Sequence, residues 1–175
     1  MPNIKALTGD ESIKAIPVLT DILCDCVEGG ASVGFMLPFD TATGRLFWEG
    51  VAKAVEAGDI LLLVADDQNK IVGTVQVGLK QPPNQPHRAD IKKLLIHRSA
   101  RGKGLSRLLM AAAETNAVAA GKSLLVLDTA SGEPAEAIYE KLGWTRAGVV
   151  PDYALFPDGR FCDTTIFYKR VSAIR

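Results

Sequence analysis

The sequence has little of what several protein classes require. Its 175 residues include three cysteines, Cys24, Cys26 and Cys162, and two histidines, His87 and His97. An odd cysteine count with no metal-ligand spacing argues against a disulfide framework and against a structural zinc centre, so no metal is expected. Neither sign of charge is in excess, since Lys plus Arg number 20 and Asp plus Glu number 20. Without a cationic surplus to neutralise a phosphate backbone or an anionic bilayer, neither nucleic acid nor a membrane surface is expected as a partner. No apolar run approaches the roughly 20 residues of a membrane span. Met1 to Thr20 also lacks a basic segment followed by an apolar one, and the expectation is a cytoplasmic protein.

What is present is ordinary for a globular chain, with 47% hydrophobic and 23% charged residues. The length suits one domain over residues 1–175, burying roughly 70% of its unfolded surface. Apolar residues at Ile13, Ile16, Leu19, Ile22, Leu23 and Val27, and again at Leu46, Phe47, Val51, Ala54 and Val55, have helical spacing. Between these helices residues 29–36, GGASVGFM, are too glycine-rich for a helix and too apolar for an ordinary exposed loop. Residues 60–65 and 71–79 flank DDQNK and predict a hairpin, and the three prolines in 81–88 make a connection before a strand over 89–96. A helix follows over 102–120 with Gly121 as its cap, then an almost wholly apolar strand over 123–128. Strand, helix and strand in succession predict a right-handed parallel crossover, with the second strand buried on both faces. A short helix over 135–142 and strands over 144–150 and 164–169 complete an α/β fold. On the first helix, one of Cys24 and Cys26 reads as a small core residue and the other as incidental.

The sharpest local signal is Arg101-Gly102-Lys103-Gly104 at the start of the long helix. Two glycines admit a ligand close to the backbone, and the free N–H groups of a first helical turn suit a pyrophosphate. A P-loop is excluded, because His97 stands where its first glycine belongs. A dinucleotide fingerprint needs a third glycine where Arg107 stands, although Asp128 ends the next strand much as a ribose-binding acid would. A nucleotide-binding module therefore remains an alternative, as does a catalytically silent acyl-CoA sensor.

Residues 99–104, SARGKG, opening a helix, followed by residues 135–144, AEAIYEKLGW, resemble the GNAT superfamily of acyl-CoA N-acyltransferases. The resemblance runs in element order from about residue 59 to 169. Residues 29–36, 99–105, 127–129, 135–139 and 157–160 are most similar to the tabtoxin-resistance branch of that superfamily. The resemblance implies a mixed central sheet flanked by helices and splayed near its middle, with acetyl-CoA as cosubstrate and a small primary amine as acceptor. It assigns the cosubstrate to the backbone of Leu94, Leu95 and Ile96 and to Arg101, Gly102, Lys103, Gly104, Leu105 and Ser106. Ser99 and Gly132 depart from the common pattern, where Gln or Arg and Asn are frequent; the second departure removes a side-chain contact to the cosubstrate.

Acyl transfer from a thioester needs a route for the amine proton, since such amines titrate near ~10, and an acid that helps a thiol of pKa about 8.5 to leave. The resemblance gives Tyr139 as the acid and Asp128 as the base. Tyr139 also reads as a core aromatic with Ala135 and Leu142, and Asp128 as a strand-closing cap. Asp90 is a rival base. Ser32, Phe35 and Tyr153 are the candidates to line the acceptor site, whereas Trp48 reads as core. The loop 29–36 holds no carboxylate, and Glu28 and Asp40 only flank it. A polycationic acceptor would want such a cluster, and the resemblance implies instead a small amino-acid-like amine, tabtoxin-type rather than an aminoglycoside or a protein lysine.

Overall fold

A computed structural model of the chain describes residues 2–172, so the two ends of the expected 1–175 domain lie outside the described residues. The elements run β1 (Asn3–Ala6), α1 (Gly9–Glu28), α2 (Thr41–Glu56), β2 (Ile60–Asp67), β3 (Lys70–Gly78), β4 (Arg88–Ile96), α3 (Leu105–Ala119), β5 (Leu124–Ala130), α4 (Pro134–Lys141), β6 (Thr145–Leu155) and β7 (Phe161–Arg170). One seven-stranded sheet has the order β1-β2-β3-β4-β5-β7-β6. Every neighbouring pair is antiparallel except β4 and β5, which run parallel and are joined through α3.

Local chemistry sets the helix boundaries. Thr8 and Glu11 form a reciprocal capping box at α1: Glu11 N–H donates to Thr8 Oγ1 at 3.3 Å and Thr8 N–H to Glu11 Oε2 at 2.9 Å. Asp40 caps α2 by accepting from Thr43 N–H at 2.6 Å. Helix α3 begins at Leu105, the first residue of its apolar spacing and three residues later than the expected range of 102–120, because Gly102 and Gly104 take φ of +78° and +74° and no helix passes through that conformation. Its C-terminal cap is Ala120, with the left-handed Gly121 one position beyond.

Alternation along the strands divides the core in two. Leu63, Ala65, Val75, Val77, Ala89, Ile91, Leu125 and Leu127 pack with Leu105, Leu109 and Met110 of α3 and with Tyr139 of α4. Leu62, Val64 and Leu95 face the other way, against Leu19, Ile22, Leu23 and Trp48 of α1 and α2. Trp48, at 1% exposure, is a core residue as its spacing suggests, and Cys26 is buried while Cys24 is half-buried. Ile13 and Leu46 are corrections: both share the apolar helical pattern, yet they stand 56% and 68% exposed on outer faces. Strand β5 is a second correction. Leu125 and Leu127 are buried, but Val126 is half-buried and Asp128 exposed, because the sheet opens beside them. β1 has no counterpart in the sequence reading; its four residues, NIKA, are too short for a periodicity signal and it forms by edge pairing to β2. No described helix is long and apolar enough to cross a membrane.

Candidate active site

The parallel pairing of β4 with β5 covers only Arg88 to Asp90 against Leu124 to Val126. Beyond it β4 continues to Ile96 and β5 to Ala130, each held on its outer side by β3 or β7, so the two strands enclose a gap inside the sheet. A bulge accompanies the splay. Thr74 faces Leu95 and Gln76 faces Lys92, so Lys93 and Leu94 together oppose Val75, and Lys93 takes a φ of +53°. The extra residue re-phases β4: Ala89 and Ile91 face α3, whereas Leu95 faces α1 and α2.

Residues 101–107 lie on the α3 side of the gap. The N–H groups of Gly102, Lys103 and Gly104 have no backbone acceptor among the described residues, and those of Leu105, Ser106 and Arg107 are the free donors of a helix start. A row of such donors, with the helix dipole behind it, is an anion cradle. Leu105 contributes only its backbone, since its side chain is buried. Two of the three cations of this segment, Arg101 and Lys103, are already engaged. Arg101 Nε donates to Ile96 O at 3.1 Å with its Nη2 3.8 Å from Asp25, and Lys103 Nζ is 3.4 Å from Asp67.

Asp25 ties this segment to α1. Its carboxylate accepts from the backbone N–H of Arg98 at 2.9 Å and from the Arg98 guanidinium, and His97 Nε2 stands 3.7 Å away. Burial opposes its charge, but the hydrogen bonds from Arg98 and the neighbouring His97 and Arg98 charges outweigh it and hold the carboxyl below the usual range. Cys26 lies beside it, with Sγ 3.8 Å from Ile96 O; burial pushes this thiol up against the pull of Arg101, which makes it a poor nucleophile.

Tyr139 and Asp128 come together at the gap. The Tyr139 ring is buried, 5.8 Å from Phe167 and 6.3 Å from Trp144 between centroids. Its hydroxyl has no protein partner among the described residues and, unlike the sealed Thr20 Oγ1 and Trp48 Nε1, keeps a small contact with solvent. Burial, and then the Asp128 charge, push the Tyr139 hydroxyl up to about 12. Asp128 is exposed and, among the described residues, makes no ion pair or hydrogen bond. Asp90 differs: it sits where β4 and β5 are still paired, bound to Arg88 Nη1 at 2.6 Å and to Gln81 Nε2 at 3.1 Å.

A scan against family models matches residues 40–151 to the acetyltransferase (GNAT) domain. The chain belongs to the GNAT acetyltransferase family. Solved structures agree in fold: a ribosomal-protein-alanine N-acetyltransferase from Brucella melitensis is 22% identical over 97% of this chain and 99% of its own, with a TM-score of 0.80. A putative acetyltransferase from Salmonella typhimurium with its cofactor acetyl-CoA is 19% identical over 100% and 96%, also at 0.80. A phosphinothricin acetyltransferase from Sinorhizobium meliloti in complex with acetyl-CoA is 17% identical over 98% and 89%, at 0.77. As a GNAT enzyme the protein is an acetyl-CoA-dependent N-acetyltransferase, and the open amide row at 102–107 beside the gap fits that cosubstrate.

On the α1–α2 side of the gap this GNAT chain brings distant segments together. Phe35 packs against Phe39 and Phe47 at centroid distances of 5.0 and 5.3 Å. Ser32 is spent on structure, its Oγ donating to Leu155 O at 2.9 Å, and Leu37 N–H donates to Pro157 O at 3.0 Å. These bonds join loop 29–36 to the β6–β7 hairpin, where Tyr153 stands 57% exposed at a bulge. The sequence reading missed Lys93. Its ammonium lies 5.9 Å from the Phe35 centroid and 5.5 Å from that of Phe47. Nothing in the local pattern of RADIKKLLI separates it from Lys92; only the bulge does.

Proposed function

We propose that this enzyme acetylates the primary amine of a small amino-acid-like acceptor, tabtoxin-type in its chemistry, with the reaction centred in the β4–β5 gap. One observation carries the reading: the gap has a row of free backbone amides on one side, a tyrosine hydroxyl in contact with solvent and an unpaired carboxylate at its centre, and a compact apolar loop on the other. Acetyl-CoA supplies an acyl group activated by its thiol leaving group. The amides of Gly102 to Ser106 hold the pyrophosphate, Arg101 braces the loop through Ile96 O, and the exposed edge of Leu94 to Ile96 orients the arm. Asp128 accepts the proton that the amine sheds as its nitrogen attacks the acyl carbon. Tyr139, protonated at any ordinary pH, donates to the sulfur as the carbon–sulfur bond breaks. The two groups support one another. Once Asp128 is neutralised by the amine proton, its repulsion of a tyrosinate ends, and Tyr139 becomes the stronger acid when the thiolate needs one. Asp90, held by Arg88 and Gln81, is a structural carboxylate.

The relatives of known fold include enzymes described as acting on ribosomal-protein alanine and on phosphinothricin, so the acceptor is a property of the loops rather than of the sheet. Here the wall is Phe35, the rest of loop 29–36 and Tyr153, which suits a compact molecule. An acetyl-CoA assay against a panel of amines, read by free thiol release, tests the reading. Turnover of amino-acid-like amines is expected. Efficient turnover of kanamycin or a histone-like peptide, with none on any amino-acid-like amine, would overturn it. CoA at about 100 times its dissociation constant should stabilise the fold by about 2.7 kcal/mol, whereas NAD should not.

A further inference from the structure

An amino-acid-like acceptor carries a carboxylate, and the α1–α2 side of the gap has one cation placed for it. Lys93 sits at the β4 bulge with a left-handed φ of +53°, a conformation disfavoured for any residue with a side chain. Its ammonium is half-buried over two aromatic rings, and among the described residues it has no hydrogen bond and no salt bridge. Aromatic faces replace part of the lost hydration but accept no N–H bond of ordinary strength. A side-chain carbon at Gly34 would lie 3.7 Å from Nζ, so the loop passes over the ammonium without covering it. Asp128 is on the same face of the sheet, because Leu125 and Leu127 point toward α3 and the alternation turns Asp128 away from it. Two unpartnered charges of opposite sign therefore face one space.

We propose that the Lys93 ammonium binds the carboxylate of the acceptor, fixing the acceptor so that its amine faces Asp128. This rests on the amino-acid-like reading above and names the group that selects for it. A zwitterion matches both charges of the space, whereas a polyamine or an aminoglycoside brings a second cation toward Lys93 and a protein lysine side chain brings no carboxylate. Burial, and to a smaller extent the Lys92 charge, pull the Lys93 ammonium below its ordinary value against the pull of Asp128, and a bound carboxylate would raise it again.

The test uses matched acceptors: free amino acids, their α-amides and the decarboxylated amines. In the wild-type enzyme kcat/KM for the free acid should exceed that for the amide by roughly 10- to 100-fold, the range of a charge-assisted hydrogen bond. In Lys93→Met the ratio should fall to near one, through acceptor KM, while KM for acetyl-CoA holds; Lys93→Arg should keep most of the preference. Carboxylic acids lacking the amine should inhibit the wild type competitively against the acceptor and lose that inhibition in Lys93→Met. Wild-type preference for amides, or a preference for acids that survives in Lys93→Met, overturns the assignment and leaves the acceptor class standing. Turnover of no small amine at all overturns both.

Discussion

On the α3 side of the gap the functional groups belong to the backbone, and on the α1–α2 side they belong to side chains. The amides of 102–107 are presented by two left-handed glycines and a helix start, and the side chains of Arg101 and Lys103 are turned to other work. Opposite them the side chains proposed for the acceptor, Phe35, Lys93, Asp128 and Tyr153, come from four separate segments, and each would act through its own chemistry. A backbone site tolerates side-chain exchange so long as the turn survives. A side-chain site changes its ligand with each replacement, which is how one fold serves many acceptors.

The comparison breaks first at its centre. Tyr139→Phe should lower kcat by roughly 10²- to 10⁴-fold with little change in KM for acetyl-CoA, because only the donated proton is lost. Steady-state kinetics decide this, and full turnover would make Tyr139 a packing residue. Asp128→Asn should cost roughly 10²-fold, most at low pH where neutral amine is scarce, and Asp90→Asn far less. The reverse order in a pH–rate profile would move the base to Asp90.

A sharper test sets backbone against side chain within the cradle. Gly104→Val forces a branched residue to φ near +74° and should raise KM for acetyl-CoA about tenfold, with about 1–2 kcal/mol of stability lost. Arg101→Met and Lys103→Met should each shift that KM by no more than about threefold, since both cations are already paired. Larger effects there would show that charge rather than amides holds the pyrophosphate.

Smaller effects test the supports. Asp25→Asn should cost about 2 kcal/mol at neutral pH, the scale of a charged hydrogen bond. Because the carboxyl of Asp25 is depressed in the fold, its contribution is present above the ordinary aspartate range and is lost as pH falls through the lower folded value. Melting temperatures of wild type and variant should therefore converge in acid and separate above about pH 4. Least of all, Ser32→Ala removes one bond to Leu155 and should cost about 1 kcal/mol or less, with a slightly higher acceptor KM.

The two sides also differed in how legible they were. Glycine spacing and a helix start are local, so residues 101–106 could be read from a short window, as could the Tyr139 helix and the strand ending near Asp128. The start of α3 is the exception: the range 102–120 takes in Gly102 to Gly104, whose left-handed backbone lies outside any helix, although the apolar spacing itself begins at Leu105. Ser32, an acceptor-site candidate from the sequence, has its hydroxyl turned to Leu155, a partner 123 residues away that no window contains. Lys93 was invisible for a related reason. A bulge is defined by pairing to a neighbour, and the sequence of β4 alone reads as an unbroken alternation in which Lys93 would point toward α3.

The strand order β5-β7-β6 has a consequence for synthesis. β6 leaves the ribosome before β7, yet its place in the sheet lies beyond β7, so it has no partner until the last strand has been made. The half of the molecule that ends with α3 and β5 can assemble while translation continues. The acceptor wall cannot, because loop 29–36 waits for Leu155 and Pro157, and the hairpin carrying them waits for β7. The enzyme can thus shape the site for its common cosubstrate early and finishes the site for its particular acceptor last.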